Sequence, residues 1–456
     1  MTDAQWLSAI DRYRTDDERD GQFTGGAYQL AGTLEEQTKS DPHRFARLAL
    51  HVPTGANPAY LAAILRGLGA APLDPDTVLK LSHIVRDHPD GDLNLWLLRL
   101  IESNAGQPLH EEVLTLVCLI AATRDDPVVN SGDDEFAASD RSNIETAGLA
   151  SVRGTAARTL AELLRRDPTL RVRLESAFES LATDRVPAVR IEAIRAFAAL
   201  WPLDQELALR LFNRTLVNAT GPMFASNAVW TFLLTAFADA FDQLMPTLER
   251  MLNSEDQAAT AAAIRLITLA SYQRPELDSR IDDFLADKPF ARAAAVEVFA
   301  AYIGSSSRRD RSQAVIVNAF DDENAAVRNL AARAFYGLRN VTGSLHEFED
   351  LFTRFAASRA LGDSGRAALH ILNAATAELP RTALSVCEAI VAHDATQLGG
   401  VRTSAAGDAF EITKTVLRVY AQYAHSDLHR RCLNLVDDMV TFAAGGIDDE
   451  LSSFER

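Results

Sequence analysis

Val327-Arg328-Asn329-Leu330-Ala331-Ala332-Arg333-Ala334-Phe335-Tyr336-Gly337-Leu338 is the stretch whose reading decides the fold. Apolar or small residues fall at offsets zero, three, four, seven, eight and eleven from Val327, which is one face of an α-helix. The same offsets recur as Val152, Thr155, Ala156, Thr159, Leu160 and Leu163, and again as Ala291, Ala294, Ala295, Val298, Phe299 and Tyr302. Small side chains early in each stripe let a neighbouring helix approach, and larger ones further along fill the groove.

The stripes form a series. Each opens on a small or apolar residue followed by arginine, at Arg153, Arg190, Arg292, Arg328, Arg366 and Arg402, separated by 37, 102, 36, 38 and 36 residues. The long gap holds weaker copies near Phe224 and Ala259, where Ala225 and Thr260 replace the arginine. A period in the mid-thirties predicts stacked helical hairpins. A second amphipathic segment and a polar turn precede the stripes, as in Thr183-Asp184-Arg185-Val186-Pro187, Asn253-Ser254-Glu255-Asp256 and Asp321-Asp322-Glu323-Asn324. Such side chains accept bonds from the unpaired amides of a helix start, so each turn specifies where the next helix begins.

Composition agrees. The 456 residues are 47% hydrophobic with few aromatics, and Ala-rich, strand-poor sequence favours helix. The expected organisation is an irregular helical N-terminal cap over 1–123, an acidic flexible loop over 124–147 centred on Asp133-Asp134-Glu135, and a repeat array with C-terminal capping helices over 148–456.

Turn aspartates followed by Val-Arg at the helix start resemble the HEAT repeat family, over about two thirds of the chain. That resemblance implies an all-α fold, a right-handed α-solenoid of HEAT-like hairpins with first helices on the convex side and second helices on the concave side. Three segments, Gly148 to Ala157, Val401 to Asp408 and Arg431 to Met439 with the closing Phe454-Glu455-Arg456, also resemble the C-terminal helical region of large bacterial STAND-type (NACHT-like) ATPases. Members of that class are implicated in antiviral defence, their repeat arrays sensing a target. This chain carries no nucleotide-binding part, so the resemblance implies a split partner, a truncated member or a stand-alone relative.

Net charge is −18, and only four of the 45 basic residues are lysine. An acidic surface opposes nucleic-acid binding through the general field. The arginine bias is read as coding-sequence composition. The aligned arginines form a candidate interaction ladder, with Arg158, Arg195, Arg265 and Arg333 on another flank; the plain alternative is that they bond turn carboxylates between repeats.

Other patterns have structural explanations. His425, His429 and Cys432 are spaced like ligands on one helical face, but Ser426-Asp427 reads as a helix start that leaves His425 outside it. His110-Glu111 and His346-Glu347 resemble the iron-ligand pairs of HEAT-type hydroxylases acting on a modified lysine, though that class carries them in several repeats. Gly362-Asp363-Ser364-Gly365 matches a serine-protease segment, yet no strands frame it. Phosphate-binding glycine motifs are absent from the sequence. Cys118, Cys387 and Cys432 read as core thiols in a reducing compartment.

These readings predict a non-enzymatic, cytoplasmic protein-interaction scaffold or sensor without cofactor or metal, its partner another protein such as an ATPase or a foreign protein. The alternatives are the metal-dependent hydroxylase and a nucleic-acid-binding repeat protein akin to the HEAT-like alkyl-base DNA glycosylases.

Overall fold

The computed structural model describes residues 1–15, 26–69, 71–88, 91–123, 141–341, 344–363, 365–394, 404–423 and 426–441. Those residues form α-helices, short 3-10 turns and connections, with no strand among them. The helices begin where the sequence chemistry places them. Ser151 Oγ accepts from Gly154 N–H at 2.9 Å, Asp204 from Leu207 N–H at 2.9 Å, and Asn324 from Ala326 N–H at 2.9 Å. Pro58, Pro75, Pro187 and Pro289 each stand at a helix start, where a missing amide hydrogen has no cost.

The chain divides into two compact units, Met1–Ala259 and Thr260–Arg456. In the first, Ala27–Ser40, Pro58–Leu68, Gly91–Ser103, Val152–Arg166, Pro187–Leu200 and Asn227–Leu252 pack in succession as one layer. Pro42–Ala49, Pro75–Arg86, Glu111–Ala122, Arg171–Ala182 and Gln205–Thr215 pack in succession as the other. Each helix thus meets chiefly its sequence neighbours and its counterpart in the next hairpin, the pattern of a helical-repeat solenoid. The alternation reaches back to Ala27, so the region read as an irregular cap follows the array's own two-layer order. Of the stretch read as an acidic loop, 141–147 lies in the helix Arg141–Ala150, and 124–140 falls outside the described residues.

The second unit repeats the arrangement. Pro289–Ala301 packs on Ala325–Ala332, and Arg366–Ala374 on Ser404–Gln422. Opposite them, Arg309–Ala319, Glu349–Ala356, Pro380–Asp394 and Asp427–Thr441 form the second layer. At its centre the Phe335 ring stacks on Phe352 at 4.6 Å and meets Phe355 edge-on at 4.9 Å, while Phe320 meets Phe355 at 5.3 Å.

The stripe read from Val152 is buried at every position. Two others deviate at single residues. Leu330 is only partly buried, and Tyr302, which caps its helix and turns outward, is 46% exposed. The copy near Phe224 is a four-residue turn, Gly221–Phe224, and the long helix begins at Asn227 under the Ser226 hydroxyl. That helix bends at Ala240, where φ −132° and ψ 24° leave the helical region.

Phe335→Ala removes the ring shared by three aromatic contacts, and an unfolding free energy lower by about 3–5 kcal/mol is expected from denaturant titration. Tyr336→Ala, next to it but 39% exposed, should cost under about 1 kcal/mol.

Candidate functional site

Five of the six ladder arginines, Arg153, Arg190, Arg292, Arg328 and Arg366, sit at or near helix starts, where the side chain can reach back to a turn. Arg153 is 2% exposed and grips Asp184 with two prongs, Nε to Oδ2 at 2.7 Å and Nη2 to Oδ1 at 3.2 Å. Asp184 belongs to the turn of the following hairpin, and its Oδ1 also accepts from Val186 N–H at 2.8 Å. One carboxylate therefore shapes its own turn and receives the previous repeat. A recess of about 340 Å³ lies against the pair, walled also by Ala121, Ala122, Ser180, Thr183 and Arg185.

Arg292 repeats the contact in the second unit. Its Nε and Nη2 meet Asp322 at 2.8 and 3.0 Å, and Asp322 Oδ1 accepts from Asn324 N–H at 2.8 Å. Arg328 holds the same turn from the other side, donating to the carbonyls of Asp322 at 2.8 Å and Glu323 at 3.0 Å. Burial pushes the Asp322 carboxyl up, but the Arg292 hydrogen bonds, the Asn324 amide and the charges of Arg292 and Arg328 outweigh it and hold it below its ordinary value.

Arg190 departs from this. At the equivalent place the next hairpin offers Thr220-Gly221 in place of an aspartate. Its Nη2 lies 3.5 Å from Met223 Sδ, and Nε has no hydrogen-bond partner among the described residues. Burial lowers its affinity for a proton, partly offset by the Asp184 charge. Arg366 is exposed, and Arg402 lies outside the described residues.

The flanking arginines also face carboxylates. Arg158 Nη2 meets Glu102 at 3.0 and 3.2 Å, Arg195 meets Glu192 at 3.3 Å and Arg265 meets Glu297 at 2.7 Å, whereas Arg333 is exposed. In the other layer Arg210 reaches Glu175 and Glu179, Arg311 reaches Asp282, Arg381 reaches Asp427 and Arg431 reaches Glu388. A planar fork that bonds two oxygens at once suits such bridges better than a lysine ammonium, which gives the arginine bias a structural use beyond coding composition.

The histidine and cysteine patterns are dispersed. His110 Nε2 lies 2.8 Å from Asp76 Oδ1, and His346 Nδ1 lies 3.7 Å from Glu349. His429 stacks on Tyr420 at 4.4 Å, Cys432 is buried with its thiol pushed up to about 11, and His425 lies outside the described residues. Cys387 is buried with its thiol raised by desolvation, while Cys118 is only partly buried, so the reading of three core thiols holds fully for two of them. Among the described residues no group of three or more His, Cys, Asp or Glu is placed to hold a metal ion. Ser364 also lies outside the described residues, and Gly365 precedes the helix Arg366–Ala374. No helix among the described residues is long and apolar enough to cross a membrane.

Within each unit the architecture is a two-layered stack of α-helical hairpins. No family model and no curated protein matches the chain. Among solved structures, a crystal structure of importin beta is similar at a TM-score of 0.39 and 14% identity, covering 99% of this chain and 59% of that one.

Arg292→Ala should lower unfolding stability by about 2 kcal/mol. Because the Asp322 carboxyl is depressed in the folded state, its contribution is present above the ordinary carboxylate range and is lost as pH falls through the depressed value. Asp322→Asn should therefore lower the melting temperature at neutral pH and flatten its decline on acidification, as thermal unfolding across pH would show.

Proposed function

We propose that this chain is a non-enzymatic protein-interaction scaffold or sensor. The observation that carries the reading is the nearest-neighbour stack within each unit. Consecutive hairpins bury their apolar stripes on one another, and Arg153 and Arg292 are committed to joints between them. Outward positions are left free of packing duty, and their side chains can vary without loss of the stack.

The ladder then has two roles. Arg153 and Arg292 serve as joints, being committed to the next turn, whereas exposed Arg366 is the member available to a partner. The acidic balance of the chain favours a protein partner over nucleic acid. The finer reading, the sensor portion of a bacterial antiviral STAND-type system, is supported by the resemblance of the three quoted segments and implies an ATPase as partner.

Affinity capture from the native cell with the full chain as bait tests this. A protein retained by the wild type and lost with Arg366→Glu, at unchanged helicity, is the expected result, and a P-loop ATPase among the retained proteins would support the sensor reading. Tight duplex binding with a steep salt dependence would overturn the proposal.

A further inference from the structure

The helix Arg141–Ala150 belongs to neither layer. It packs on Val152–Arg166, on Pro187–Leu200 and on the turn Gly221–Phe224, parts of successive hairpins of the first unit. The chain folds back at Ser151, whose hydroxyl caps the following helix. Ile144 is 1% exposed beneath the crossing, and Glu145 Oε1 accepts from Asn227 N–H at 2.5 Å. Gly148 makes the closest approach. A Cβ there would stand 2.6 Å from the Ala188 carbonyl oxygen and 3.0 Å from Glu192 Cγ, so only glycine fits without displacing the helix.

Under this crossing lies a carboxyl that the fold leaves poorly served. Glu192 is 0% exposed; Oε1 accepts from Arg195 Nε at 3.3 Å, and Oε2 has no hydrogen-bond partner among the described residues. Three charged groups act on it: Arg195 from its own helix, Arg158 from Val152–Arg166, and Glu145 from the crossing helix. Arg158 is already engaged by both oxygens of Glu102, and Glu145 is repulsive. Desolvation dominates, and the Glu192 carboxyl is raised above its ordinary value.

We propose that Arg141–Ala150 is a latch whose closure over the first unit is coupled to uptake of a proton by Glu192. Ionised Glu192 needs water that the closed helix excludes, and neutral Glu192 does not. A group raised in the closed state favours closure fully below its ordinary range, and that preference is lost as pH rises through the raised value. Opening uncovers the faces of Val152–Arg166 and Pro187–Leu200 on which the helix lies, so pH would regulate a surface of the repeat stack.

Hydrogen–deuterium exchange of the full chain, read on peptides within 141–150 and corrected for the intrinsic pH dependence of exchange, decides the matter. From about pH 4.5 to about pH 8 the wild-type segment should lose protection by about tenfold relative to peptides within 205–215. Glu192→Gln should hold it protected and flat. Gly148→Val should leave it unprotected and flat at wild-type helicity. Should the glutamine variant fold poorly, Glu192→Met removes the same titration. A flat wild-type profile, or a wild-type slope retained in the Glu192 variants, overturns the latch.

Discussion

The bidentate contact between a helix-start arginine and the turn aspartate of the following hairpin is the constraint on which the arrangement rests. Apolar stripes bring neighbouring hairpins together, but a stripe of alanine and leucine tolerates sliding. A guanidinium fork on a single carboxylate does not, because two bonds at 2.7 and 3.2 Å fix distance and rotation together. The aspartate is in turn fixed by an amide two residues on, at 2.8 Å in both Asp184 and Asp322. At Arg153–Asp184, removing either partner leaves the other as a buried charge without compensation, so the joint is costly to break even where forming it gains little.

Where the joint is missing, regularity weakens. Arg190 finds Met223 in place of a turn carboxylate, the following element is the four-residue Gly221–Phe224, and the helix after it runs on to Leu252 with a bend at Ala240. The repeat spacing breaks in the same interval, since the 102-residue gap between Arg190 and Arg292 falls there. The crossing helix Arg141–Ala150 also contacts this place, laying Glu145 on the amide of Asn227. An additional element thus ties together hairpins that lack the usual joint.

Much of this was legible in the sequence because helical period and turn chemistry are local. The stripe from Val152 and the turn role of Asp322 needed only spacing and residue type. Which way an arginine turns was not legible, since Arg153 and Arg366 occupy the same repeat position, yet one is buried against Asp184 and the other is exposed. Ile144, between Asn143 and Glu145, and Gly148, within the small-residue run Ala147-Gly148-Leu149-Ala150, do not signal the crossing, because it comes from long-range packing. Glu192 reads as an ordinary polar position within Ile191-Glu192-Ala193-Ile194 until the helix from 141 covers it. Likewise, the alternation from Ala27 to Ala122 is hidden by unequal helix lengths and by anchors that lack arginine.

In a stack joined this way, packing and joints use the faces between hairpins, and outward residues are left free of both. Arg153 and Asp184 act as one energetic unit across a repeat joint. A double-mutant cycle with Arg153→Met and Asp184→Asn, followed by denaturant unfolding, measures it most directly. A coupling of about 2 kcal/mol or more is the result this account requires, and additivity within about 0.5 kcal/mol would contradict it.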